Sequence, residues 1–282
     1  MIPALKRWAK LFRPRVAGRF VPLAAFALTL MCGITPGRVS AQDKPLDDVL
    51  ARTSKQVAEF VEQFSEVKCT EHVTQEKFGK EEKPERRAES TFDYLVILTN
   101  TGGELSLDES RLAMQEPAAA KKNQNAPLLI SNGFATLFLI FHPYYAGSFQ
   151  FASLGSETIA GKQLLKLHFD HIPNTKSVAA LAVRGREYPL ELSGTAWIDP
   201  ATGLIAKINA GIDRGVEDIG MKSLRSEVEY GPVRFGKELS TYWFPQEAVV
   251  EVQTPRQHWR NTHKFSDYKR FSVSTEEQVA NK

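Results

Sequence analysis

Apolar residues recur at three- and four-residue spacing from Leu46 to Val67. Leu46, Val49, Leu50, Val57, Phe60, Val61 and Phe64 form the stripe, and Asp47, Asp48, Arg52, Lys55, Glu59, Glu62 and Gln63 fall mostly between them. No Gly or Pro interrupts the run, so the spacing predicts an amphipathic helix that lays one face on a sheet. The period then drops to two. Val67, Cys69, Glu71 and Val73 alternate with their neighbours and predict a strand to about Phe78. Gly79 to Pro84 reads as a charged turn. From Arg86 to Thr99 alternation resumes, with Phe92, Tyr94, Val96 and Leu98 on one face and Leu95 and Ile97 on the other. Two apolar faces imply cover on both sides at that end. Asn100 to Gly103 is a turn signal.

Met114 to Pro127 combines Gln115-Glu116-Pro117, three alanines and Asn123-Gln124-Asn125, the composition of a surface loop. Leu128 to Phe141 changes character. Ser131 or Asn132 can cap a helix, and Phe134, Leu137, Phe138, Leu139, Ile140 and Phe141 follow it. A helix apolar all round must be buried on most sides or cover an apolar cavity. His142-Pro143 is expected to end it. Beyond Tyr144 the pattern predicts strands at Ser148 to Ser153, around Leu165, Leu167 and Phe169, at Leu190 to Ile198, and at Leu204 to Asn209. More follow at Leu224 to Val233, Leu239 to Phe244, Ala248 to Thr254 and Trp259 to Val273. Gly155 to Gly161 reads as a turn, Asp170 to Lys176 as a loop, and Ser177 to Glu187 is ambiguous. Asp199-Pro200-Ala201-Thr202-Gly203 is the strongest hairpin signal, because Pro pre-sets a turn and Gly supplies positive φ. Short strands at near-regular spacing predict a β-rich α+β chain built on a large antiparallel sheet. The polar tail after Ser274 is expected to fray.

Charge alters the picture at the N-terminus. Residues 1–41 carry Lys6, Arg7, Lys10, Arg13, Arg15, Arg19 and Arg38 and no acidic residue, followed by an apolar run from Val21 to Met31 and the small-x-small exit Val39-Ser40-Ala41. Together these read as a secretory signal peptide cleaved after Ala41, leaving residues 42–282 as a single domain. An uncleaved anchor is the alternative, although the apolar run falls short of the roughly 20 residues that span a bilayer. Cys32 lacks the small preceding residue a lipidation site needs. The whole chain has net charge +3, and losing seven positive side chains leaves the remainder at −4. The basic balance thus belongs to the leader, which removes the compositional case for nucleic acid. Cys69 is then the lone cysteine, expected to be buried as a small hydrophobe.

Motifs that carry chemistry are nearly absent. The chain has no G-x-S-x-G, H-E-x-x-H, C-x-x-C or phosphate-cradling glycine loop. His168 and His171 are spaced for a metal on a helix, but a strand sends them to opposite faces, and His258 and His263 meet the same objection. Asp199 suits a turn start better than catalysis. Asp213, Glu217 and Asp218 read as a solvated loop and do not fit a calcium-binding helix-loop-helix. No cofactor is implied. A surplus of apolar side chains remains. It admits two readings, an ordinary filled core or a curved sheet whose concave face holds a lipid or acyl chain. Under the second, Trp197, Phe149, Phe151, Leu137 and Phe141 are the candidate lining.

Gly194-Thr195-Ala196-Trp197-Ile198-Asp199-Pro200-Ala201-Thr202-Gly203-Leu204 resembles the tryptophan-bearing hairpin of the periplasmic lipoprotein-carrier superfamily, and Phe265-Ser266-Asp267-Tyr268 is similar to its closing strand. That superfamily includes the outer-membrane lipoprotein-sorting proteins and a related sensor domain of envelope stress. The resemblance implies an unclosed half-barrel sheet with covering helices, a cavity for acyl chains and no catalytic residues. The expectations are therefore a non-catalytic periplasmic carrier whose partner is a lipid or acylated lipoprotein, or an envelope sensor or interaction module of the same fold with a filled core and a protein partner. A secreted hydrolase is the third possibility.

Overall fold

The computed structural model describes residues 43–79, 83–101, 104–114, 133–183, 186–212, 214–216, 220–236 and 239–271. The leader, the loop after Met114, the acidic group Asp213, Glu217 and Asp218, and the polar tail lie outside them. Helix α1 (Asp43–Phe64) follows the predicted stripe. Strands β1 (Val67–Phe78), β2 (Pro84–Thr101) and β3 (Glu104–Ala113) make an antiparallel meander. A buried 3-10 turn (Leu137–Phe141) and a short helix α2 (Pro143–Ala146) come next. Then follow β4 (Phe149–Ile159), β5 (Lys162–His171), β6 (Ala180–Val183), β7 (Arg186–Pro189), β8 (Leu192–Ile198), β9 (Ile205–Ile212), β10 (Ser223–Val233), β11 (Tyr242–Gln253) and β12 (His258–Arg270).

Ten of these strands form one sheet in the order β3-β2-β1-β12-β11-β10-β9-β8-β5-β4, and β6 and β7 form a separate hairpin. The sheet is an open half-barrel. Ten strands laid flat would span about 43 Å between the edge strands. Yet Tyr145 donates its hydroxyl to Leu105 O of edge strand β3 at 2.7 Å, four residues before edge strand β4 begins. Four residues reach at most about 14 Å, so the sheet must curl until its edges face one another across α2. Register shifts on β1, β4, β8 and β10 supply the bends, as bulges do.

The concave face holds the core. Cys69, Tyr94, Val96, Leu167, Phe169, Ala196, Ile198, Ile208, Val228, Phe244 and Val250 are all buried there with Phe64 of α1. The Phe64 ring lies 6.5 Å from Tyr94 and 5.6 Å from Phe244, so α1 sits against both halves of the sheet.

Several expectations require correction. The apolar run does not make a helix from Leu128 to Phe141. Among the described residues its end is one 3-10 turn, with Leu137 to Phe141 all buried, because the curled sheet leaves no room for a full helix beside α1. His142-Pro143 starts a helix instead of ending one: His142 caps α2 by accepting the Tyr144 amide at Nδ1, 3.1 Å away, and Pro143 takes the first turn. Strand β4 runs past the predicted turn to Ile159, bulging at Gly155 with φ of 91°. The strands predicted at Leu239 to Phe244 and Ala248 to Thr254 are replaced by one continuous strand, β11 (Tyr242–Gln253), opposite a bulge at Glu229/Tyr230. Strand β3 had no clear periodic signal.

The β8–β9 hairpin matches its prediction. Asp199 Oδ1 accepts the amides of Ala201 and Thr202 at 2.9 and 3.2 Å, and Gly203 adopts φ of 78°. A Cβ on Gly203 would also stand 2.8 Å from the Arg52 and Thr53 backbone of α1. We therefore expect Gly203→Ala to lose about 3 kcal/mol in urea unfolding, against about 1 kcal/mol for Gly161→Ala. Gly161 shares the positive φ but faces open space. Equal losses would show that the turn and helix are not in contact.

Candidate functional site

Where the β8–β9 turn meets α1, the core opens. A cavity of about 320 Å³ lies between Gln56, Val57, Phe60 and Gln63 of α1, Phe138 of the 3-10 turn, Leu204 and Ile205, and Tyr230, Tyr242 and Trp243 of the sheet. Three interactions fix its walls. Arg52 donates to Pro200 O at 2.9 Å and holds the turn to the helix. Trp243 donates Nε1 to Ile205 O at 2.6 Å, reaching across β10 to β9. Tyr230 points its hydroxyl at Ala135 O, 3.3 Å away, and burial pushes its phenol well above the ordinary value. The lining is mostly aromatic and aliphatic with polar groups at the rim, the composition of a site for an apolar ligand.

Val57 and Phe60 belong to the helical stripe read from the sequence, and Trp243 to its aromatic surplus. The five candidate lining residues lie elsewhere. Phe141, Phe149 and Phe151 meet with Phe169 in an aromatic cluster, with centroids 5.2 Å apart for Phe141–Phe151 and 6.0 Å for Phe149–Phe169. Leu137 is buried in the same core. Those four fill the half-barrel. Trp197 is on the outer face, since its neighbours Ala196 and Ile198 both point into the core. Its ring lies between Lys166 and Lys207, 5.3 and 5.7 Å from their ammonium groups, and its Nε1 donates to Glu157 at 2.9 Å.

His168 and His171 do not converge. His168 meets Asp170 at 2.8 Å, whereas His171 contacts Lys176 O at 2.9 Å. His263 takes part in a feature that no sequence pattern announced. Glu71, fully buried on β1, contacts Arg111 Nε at 2.5 Å and His263 Nδ1 at 2.8 Å. Arg111 Nη2 also stands 2.9 Å from Glu109 Oε2, and its guanidinium lies 5.1 Å from the centre of the Tyr94 ring. Gly133 N donates to the other Glu109 oxygen at 2.9 Å. Residues of three strands far apart in sequence, β1, β3 and β12, converge through the β3-β2-β1-β12 register. Burial alone would push Glu71 up, but the hydrogen bonds from His263 and Arg111 outweigh it and hold the carboxyl below its ordinary value. Burial wins at Glu109, whose carboxyl is raised despite Arg111. Burial also pushes the Cys69 thiol up to about 12, which leaves it an inert core residue.

The two carboxyls have opposite linkage. Glu71 contributes stability above its ordinary value of 4.5 that fades as pH falls through its lower folded value. Glu109 contributes below 4.5, and that contribution is lost as pH rises through its higher folded value. We expect Glu71→Gln to cost about 3 kcal/mol at pH 7, since it removes the buried carboxylate shared by Arg111 and His263, and Glu109→Gln to be neutral or stabilising there. Urea unfolding from pH 4 to 8 measures both, and a larger loss from Glu109→Gln would reverse the assignment.

No protein-family model matches the chain, and no curated protein matches it by sequence. Solved structures are similar to it at low identity. A Vibrio parahaemolyticus domain described as an outer-membrane lipoprotein-sorting protein is 12% identical with a TM-score of 0.43, over 81% of this chain and 94% of that one. A LolA superfamily protein of Nitrosomonas europaea is 10% identical with a TM-score of 0.35, over 78% and 94%. The MucA/MucB complex of Pseudomonas aeruginosa gives 12% identity and a TM-score of 0.20, over 78% and 99%.

Proposed function

We propose that the protein is an exported, non-catalytic carrier or binding protein of the cell envelope that takes an acyl chain of a lipid or lipoprotein into the cavity beneath α1. Residues 1–41 act as its signal peptide in this reading. One observation carries the proposal: beside the β8–β9 turn the filled half-barrel opens into an aromatic-lined cavity of about 320 Å³, within the range of small-molecule sites. Burial of apolar surface would drive uptake.

A second reading has its own support. Phe141, Phe149, Phe151 and Leu137 fill the interior that a deep acyl site would occupy. This favours an envelope sensor or interaction module with a protein partner.

Leu204 lines the cavity but is not fully buried, so a larger side chain can fill the space without breaking the core. Native mass spectrometry with organic extraction is expected to find a stoichiometric acyl species on the wild type and at least a tenfold lower occupancy on Leu204→Trp. An apo wild type that also fails to take up a fluorescent fatty acid would favour the second reading.

A further inference from the structure

A second hollow of about 280 Å³ adjoins the first and shares Leu204, Tyr230 and Trp243 with it. The two form one apolar path along the rim, and the second hollow brings ionisable groups to its outer end. These are Lys162, Lys207, Asp199 and Glu229. Three are already engaged. Asp199 accepts the turn amides of Ala201 and Thr202. Lys207 contacts Glu227 at 2.6 Å and Glu229 at 3.7 Å. In the first cavity Glu59 faces Lys55 at 3.8 Å. Lys162 differs. It is exposed at the start of β5, and its ammonium sits 5.8 Å from the centre of the Trp243 ring with no carboxylate partner among the described residues.

We propose that the ligand is an anionic amphiphile whose headgroup is met by Lys162 while its chain lies past Trp243 into the cavity beneath α1. This rests on the acyl-site reading above and adds the headgroup class. The shared chemistry is a carboxylate or phosphate on a single chain. The lysine is held over an aromatic wall, where cation–π attraction fixes its position without neutralising it, and an uncompensated ammonium beside an apolar path favours an anion.

Calorimetric titration of the full chain with four oleoyl probes tests this: oleate, monooleoylglycerol, lysophosphatidylglycerol and lysophosphatidylcholine. The wild type is expected to prefer oleate to the neutral glyceride by about fivefold, the scale of one exposed charge pair. Lys162→Glu should abolish that preference, while Lys162→Arg keeps it. A preference confined to oleate assigns a fatty acid, and one shared with lysophosphatidylglycerol assigns a phospholipid; both support the proposal. Equal affinities in the wild type, or a preference that survives Lys162→Glu, overturn the headgroup assignment and leave the acyl site standing. Failure of all four probes to bind overturns both.

Discussion

A sheet of ten strands curled into an open half-barrel must have its concave face filled, and the rest of the molecule follows from that constraint. The bond from Tyr145 to Leu105 marks the distance to which the two edges approach. Among the described residues, one long helix and one 3-10 turn stand in the remaining space. Their aromatic side chains, Phe60, Phe64 and Phe138, interlock with edge-on and stacked geometry. The filling is dense along the aromatic cluster and stops short beside the β8–β9 turn. The cavity is therefore a local deficit of packing, not a general looseness of the core.

Polar chemistry divides the two ends of the sheet. At the β3–β2–β1–β12 end the inner face carries the Glu109–Arg111–Glu71–His263 chain, in which the two carboxyls meet Arg111 and Glu71 also meets His263. Such a network is expensive to desolvate and adds little net stability, but it penalises alternative registers heavily. At the β10–β9–β8 end the inner face is apolar, and charge is confined to the outside and the rim. The lattice of Lys166, Lys207 and Glu157 around Trp197 covers that convex surface.

The sequence made some of this legible and concealed the rest. Local signals sufficed for α1, for β1 and β2, and for the Asp199–Gly203 hairpin, because each depends on residues within a turn or two of one another. Trp197 illustrates the first kind of failure. Its neighbours in sequence are apolar, and only the pleat shows that it faces outward over two lysines. The run ending at Phe141 illustrates the second: its composition demands burial, but the backbone form was decided by the volume left inside the curled sheet. The third kind is long-range register. Nothing near Glu71 in sequence indicates Arg111 or His263, and no single-sequence period could have brought them together. The cavity was half legible, since Val57, Phe60 and Trp243 were recognisable as apolar surplus while Leu204 and Tyr230 depended on where the turn docks.

Strand order gives the C-terminal strand an unusual place. β12 is not an edge; it lies between β1 and β11, fourth from one side of the sheet. The first three strands to leave the ribosome therefore have no lateral support except their own meander until the last strand arrives. The β3–β2–β1 meander thus joins the other strands only through β12, and a cut ahead of His258 divides the sheet into two pieces instead of trimming its margin.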